Sequence, residues 1–358
     1  MWPDRRLLDL FAIEFPFLLA PMAGAMDSEL AVAAARGGAL ASLPCAMLSP
    51  DKAREQVGIF RQQISAPLNL NFFCHTPVAA DPAQEAVWKQ RLGAYYQEHG
   101  IDPAAPVPAA SRAPFDAAMC ELVEELKPEV VSFHFGLPEA SLLDRVKASG
   151  AKVIASATIV REAIWLEEHG VDAIIAQGAE AGGHRGMFLT SSVAQQPGLF
   201  ALLPQVVDAV HVPVIAAGGI ADGRAIAAAF ALGATGVQIG TAYLRCPEAR
   251  TSELVRAALA HGTDEATVMT NVMTGRPARG IANRVMREVG PLSADAPAFP
   301  HAAAALGPLK AAAEKQGKVD FTNLWAGQAV RLGRDMPAAE LTRALAGSAL
   351  ARLSRLAG

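Results

Sequence analysis

The chain predicts an α/β fold, a (β/α)8 TIM barrel with an inserted segment and a mostly helical C-terminal extension. Three observations predict it. Between residues 17 and 244, short apolar runs alternate with helical stretches, and eight such runs can be counted. The runs are apolar throughout, as expected for parallel strands covered on their outer face. Glycine turns close the last two runs, at 216–220 and 238–241, where barrels of this type often hold phosphate. An open doubly wound sheet is the runner-up, because the period alone does not separate the two.

Bulk composition narrows the function classes. The 358 residues are 52% hydrophobic and 18% charged, with a net charge of −4. That is ample material for a large core. No basic block marks a nucleic-acid partner. No run reaches the ~18 apolar residues of a membrane span. Asp9 and Glu14 interrupt the N-terminal apolar stretch, which a secretory leader tolerates poorly. Cys45, Cys74, Cys120 and Cys246 form no C-x-x-C. This spacing suits a reducing cytoplasm and argues against a zinc knuckle or a disulfide framework.

The first strand begins at Phe17 and ends in the turn Ala20-Pro-Met-Ala-Gly24. Ser28 reads as the N-cap of a helix over 29–36, stopped by Gly37-Gly38. Residues 39–44 form the second strand, Ser49 starts a helix ending near Ser65, and 68–73 form the third strand. Residues 75–114 are proline- and alanine-rich, with one helix over 82–100. We read them as an insertion over one end of the fold. Strands at 130–136, 152–159, 171–178, 213–220 and 236–244 then alternate with helices at 115–127, 138–150, 160–170, 198–210 and 222–233. This gives a barrel over 1–250 and a helical region over 251–358 that packs beside the barrel and closes over its mouth. Within that region, 271–289 reads as an irregular arm followed by a helix.

The stretch 176–186, A-Q-G-A-E-A-G-G-H-R-G, carries the chemistry. Glycine at this density lets a backbone turn sharply and lie close to something flat or charged. His184 is placed in the open part of that loop, and imidazole exchanges a proton near neutral pH. Gly218 and Gly219 after strand seven, and Gln238, Gly240 and Thr241 at the end of strand eight, offer bare amides for an anion. No G-x-G-x-x-G opens a helix after a strand, so a Rossmann nicotinamide site is not indicated. A phosphate seat without that fingerprint suggests FMN or a phosphorylated substrate.

Asn71 and Gln177 carry both donor and acceptor for a heterocycle edge, or else tie down a neighbouring loop. Met22 and Ala23 are small or soft enough to lie against a flavin ring. Gly182 and Gly183 lie between Glu180 and His184 and break the helix that an i, i+4 metal pair would need; no metal site is expected. Arg185 either neutralises an anion or pairs with Glu180. His75 and His134 are second-rank candidates near strand ends.

These residues resemble class I nitronate monooxygenases, formerly called 2-nitropropane dioxygenases, along nearly the whole chain. The segments that carry the likeness are A-P-M-A-G at 20–24, N-L-N-F-F at 69–73, S-F-H-F-G-L-P at 132–138 and the glycine loop at 176–186. Further ones are A-A-G-G-I-A-D-G-R at 216–224, L-G-A-T-G-V-Q-I-G-T at 232–241 and W-A-G-Q at 325–328. The resemblance implies an FMN-dependent barrel. It places Met22, Ala23, Asn71, Gln177, Gly182, Gly218, Gly219, Gly240 and Thr241 around FMN, with His184 as the catalytic histidine. It also implies oxidation of an alkyl nitronate or nitroalkane with O2 to a carbonyl compound and nitrite. A homodimer is left open. The chain departs from relatives in having few tyrosines, only Tyr95, Tyr96 and Tyr243, so its pocket wall differs. Two other functions fit the same barrel: an NAD(P)H-dependent enoyl-thioester or quinone reductase, and a flavin-binding sensor without turnover.

Overall fold

A computed structural model describes residues 1–105 and 112–356. Residues 106–111 of the expected insertion, and 357–358, lie outside the described residues.

Eight parallel strands form the central sheet. In chain order they are β1 (Phe17–Leu19), β2 (Ala41–Pro44), β3 (Leu68–Phe73), β4 (Val130–His134), β5 (Lys152–Ala157) and β6 (Ala173–Gln177). After the short β7 (Gly183–His184), which lies outside this sheet, come β8 (Val214–Ala217) and β9 (Gly236–Ile239). The spatial order is β1-β9-β8-β6-β5-β4-β3-β2. Leu18 bridges Leu40 in parallel, and the Leu40 amide donates to Phe17 O at 2.8 Å, so the two sheet edges meet and the barrel closes. Apolar strands suit this arrangement because helices cover the outer face while side chains fill the interior. Leu18, Leu40, Val130, Ile154, Ile175 and Ile215 form an inner cluster with Leu7 and Phe11. The last two belong to the Arg6–Phe11 helix, which plugs the barrel's floor and was not read from the sequence.

The structure corrects several local expectations. Asp27, not Ser28, caps the Ser28–Arg36 helix, its carboxylate accepting from Glu29 N. Asp has two acceptor oxygens and stays outside the helix, whereas Ser28 is buried as the first helical residue. The expected helix over 82–100 is two helices, Pro82–Arg91 and Gly93–Glu98, joined at Leu92. The last barrel strand stops at Ile239 and gives way to a 3-10 turn, Thr241–Arg245. The arm over 271–289 contains a strand. β10 (Thr267–Thr270) and β11 (Ala278–Ile281) pair antiparallel, and β11 pairs in turn with β7, placing Ala278 opposite His184.

A second apolar cluster lies apart from the barrel core. Trp88, Leu92, Tyr95 and Tyr96 of the insertion pack against Val272, Met273, Val285, Leu306 and Phe321 of the C-terminal region. Trp88 Nε1 donates to Ala302 O at 3.1 Å, and Tyr96 OH to Ala305 O at 2.6 Å. The final helix, Ala338–Leu356, lies instead on the barrel's side. A Cβ added at Gly223 would meet Ala349 N at 2.6 Å, and one at Gly37 would meet Thr342 Cβ at 2.6 Å. Those two glycines let the helix come that close. Among the described residues no helix is long and apolar enough to cross a membrane.

Candidate active site

The expected site residues converge on the carboxyl ends of the barrel strands. Met22 and Ala23 follow β1, Asn71 lies in β3, Gln177 ends β6, Gly218 and Gly219 follow β8, and Gly240 and Thr241 follow β9. Gln238 lies within β9, in register with Ala217. Because β8 and β9 are neighbours, their two glycine turns sit side by side. Gly218 has φ +121° and Gly219 φ +65°, conformations that side chains with a Cβ rarely adopt. Among the described residues the amides of Gly218, Gly219 and Gly240 donate to no backbone or side-chain acceptor. Three unengaged N–H groups thus stand on adjacent strand ends, a donor arrangement of the kind that binds anions.

A network of bonds holds the glycine loop against the turn after β8. Arg185 is fully buried. It donates to Gly178 O at 2.6 Å, Gln177 O at 2.7 Å and Gln196 Oε1 at 2.6 Å. Gln196 in turn donates to Thr158 Oγ1 at 2.9 Å. Glu162 accepts from Thr158, Phe188 N and Leu189 N, tying the far end of the loop to the helix after β5. Arg185 therefore braces the loop from inside. Glu180 caps the helix at Leu199, accepting from its amide with both carboxylate oxygens at 2.8 Å. The W-A-G-Q segment closes the other side. Gly327 N donates to Thr241 Oγ1 at 2.9 Å and Gln328 N to Glu180 O at 3.0 Å. A Cβ at Gly182 would meet Gly327 N at 2.5 Å, so only glycine allows that approach. At Gly183 nothing lies within 4 Å of the Cβ position, leaving its backbone face open.

The amide side chains divide by use. Gln177 donates to His184 O at 3.0 Å and accepts from Gly186 N at 2.8 Å, so its amide engages the loop. Asn71 donates to Ser132 Oγ at 2.9 Å. Gln238 makes no side-chain hydrogen bond to the described residues and keeps both functions.

His184 lies in an aromatic cage. Its ring centroid is 5.4 Å from Phe299, 5.5 Å from Trp325, 6.0 Å from Phe135 and 6.2 Å from Phe73. Phe135 holds φ +73°, an unusual backbone state for a bulky residue, and so aims its ring at the mouth. Burial in the cage, followed by the nearby Arg112, His134, Arg276 and His75, holds the His184 imidazole well below its ordinary value. His134 is held down to about 4, first by burial, although the His184 carbonyl it touches at 3.2 Å favours its charged form. His75 also falls to about 4, chiefly by burial. The second-rank histidines thus join His184 at one mouth. His184 Nε2 lies 2.9 Å from Thr274 Oγ1, and Thr274 Oγ1 lies 3.4 Å from Arg276 O. Assigned along that chain, Nε2 carries the proton and Nδ1 keeps its lone pair. Among the described residues no group of three or more His, Cys, Asp or Glu is arranged to hold a metal.

Sequence reasoning missed Thr274, Phe73, Phe135, Phe299, Trp325, Arg112 and Arg276. The one signal for Thr274 and Arg276 was the dense T-G-R-P-A-R-G run at 274–280.

Comparison with known proteins places the whole chain in one family. The nitronate monooxygenase family model matches residues 4–347. A nitronate monooxygenase of Paraburkholderia phytofirmans is 41% identical over 95% of this chain and 94% of its own length. One of Pseudomonas aeruginosa is 38% identical over 95% and 97%. Among solved structures, the nitroalkane oxidase of Streptomyces ansochromogenes superposes with a TM-score of 0.89 at 35% identity, covering 98% of this chain and 99% of that one. FabK from Thermotoga maritima superposes with a TM-score of 0.73 at 25% identity, over 100% and 99%. The chain belongs to the nitronate monooxygenase family of oxidoreductases.

Proposed function

We propose that this protein oxidises alkyl nitronates with O2 to carbonyl compounds and nitrite, using FMN. The observation that carries the reading is the juxtaposition of three unengaged amides with a caged imidazole at one barrel mouth. The donor set fits FMN: Gly218, Gly219 and Gly240 would hold the phosphate, and the open face at Gly183 would admit a flat ring. Gln238 would read the ring edge with its free amide, beside Met22 and Ala23. FMN, when bound, supplies the electron acceptor for the oxidation.

The chain's own groups do the rest. The Phe73, Phe135, Phe299 and Trp325 rings exclude water and so strengthen every polar contact at the mouth. His184 Nδ1 takes the proton from the carbon of a neutral nitroalkane, while Thr274 fixes the tautomer through Nε2. A nitronate arrives already deprotonated and needs the imidazole only for position.

The test is an aerobic assay of the FMN-loaded protein against propane-2-nitronate, with nitrite and oxygen followed together. Nitrite released as oxygen falls supports the reading. Oxygen that stays constant with no nitrite formed sinks it.

A further inference from the structure

The barrel mouth holds buried nitrogen atoms that nothing in the described chain answers. Arg112 Nη1, Arg276 Nε and His75 Nδ1 are buried, with no hydrogen-bond partner among the described residues. All three groups stand on one aromatic surface. The Arg276 guanidinium lies 3.9 Å from the Phe135 centroid, and that of Arg112 5.6 Å from Phe299. The His75 ring stands edge-on to Phe299, with centroids 4.9 Å apart. Phe135 and Phe299 are themselves 5.9 Å apart, and His184 touches both.

Carboxylates do not balance this charge. The one that acts on Arg276 is Glu162, whose oxygens accept from Thr158, Phe188 and Leu189. Burial holds Arg276 down to about 10 and lowers Arg112 as well. A half-buried guanidinium without an anion is costly, and two at one mouth call for negative charge from outside. The FMN phosphate is not that charge, because β5 and β6 separate this side of the barrel, at β3 and β4, from the β8 and β9 turns.

We propose that Arg112, Arg276 and His75 form an oxyanion seat beside His184 that selects a planar, negatively charged head group and discriminates against neutral analogues. A nitronate spreads its charge over the two oxygens of one planar group, the shape that a guanidinium fork matches. A neutral nitroalkane or an enoyl thioester brings no such charge. The identity of the head group rests on the proposed function; the seat itself rests on the unanswered donors.

Nitrate tests this, being a planar oxyanion that the site has no carbon to oxidise. Its Kd on FMN-loaded protein is measured by calorimetry, beside KM for propane-2-nitronate and for neutral nitroethane. Arg112→Gln is expected to raise the nitrate Kd and the nitronate KM by about tenfold, with FMN content unchanged and a much smaller rise in the nitroethane KM. Arg276→Gln is expected to do the same, and Arg276→Lys to restore part of the loss. Arg276 also donates to Met187 O, so its variants could disturb the loop; Arg112→Gln makes the test without that bond. A nitrate Kd unaltered in Arg112→Gln, or no nitrate binding by the wild type, overturns the seat. Equal losses for nitroethane and nitronate also overturn it, by showing a structural role. Arginine-dependent nitrate binding in a protein that turns over no nitronate would keep the seat and remove the proposed function. Nitronate turnover with arginine-independent nitrate binding would do the reverse.

Discussion

His184 Nε2 and Thr274 Oγ1 lie 2.9 Å apart, joining the glycine loop after β6 to the turn between β10 and β11. The bond decides which imidazole nitrogen is free at the mouth. Thr274→Val keeps the side-chain shape and removes the acceptor. It is expected to lower kcat on neutral nitroalkanes by roughly tenfold, about 1.4 kcal/mol, with a smaller effect on nitronates. Thr274→Ser should recover most of the rate. Steady-state kinetics on the paired substrates checks this.

The histidines give a pH signature. All three at the mouth are held below the ordinary 6.5, His75 and His134 to about 4. Between about 4 and 6.5 the unfolded chain therefore binds more protons than the folded one, and stability rises with pH through that window. It is complete above 6.5 and is lost progressively as pH falls toward 4. Thermal unfolding across that range should show the slope, and His134→Asn should flatten part of it.

The same depression predicts a plateau in activity. His184 stays neutral through the physiological range, so kcat on a nitroalkane should show no acid limb near 6.5. The limb belongs well below that value. A pH–rate profile breaking at 6.5 would contradict an uncharged, caged imidazole.

Arg185 is the brace of the glycine loop. Two of its three bonds are buried and the third is partly so, and Arg185→Met leaves two carbonyls and an amide oxygen without their donor. The cost is expected to be about 2–4 kcal/mol. Lower denaturant midpoints should be accompanied by weaker FMN retention, because the loop lies against the β8 turn: a Cβ at Gly218 would meet Ala181 N at 3.2 Å.

Gly218 itself tests the phosphate seat. At φ +121° an alanine is strained and would crowd Ala181 N. Gly218→Ala should raise the FMN Kd by about tenfold or more in a fluorescence titration, with the far-UV spectrum unchanged.

The eight-unit rhythm was legible because buried parallel strands need unbroken apolar runs, and because glycine marks their ends. The loop around His184 was legible for the same reason. The cage was not, since Phe73, Phe135, Phe299 and Trp325 come from segments far apart in the chain and each alone reads as core. Arg185 illustrates another limit. From sequence it could face an anion or Glu180, and only the closed fold shows it pointing inward to carbonyls. β7 and β11 escaped notice because strands this short carry no period, and their pairing depends on two loops meeting.

The central claim is that the β8 and β9 turns would hold FMN, which would supply the electron acceptor for a nitronate placed beside His184. Anaerobic mixing of the FMN-loaded protein with propane-2-nitronate, and separately with NADH or NADPH, tests it most directly through loss of the oxidised flavin absorption. Rapid bleaching by the nitronate, with none by either nicotinamide, is the predicted result. Rapid bleaching by a nicotinamide and none by the nitronate would contradict it.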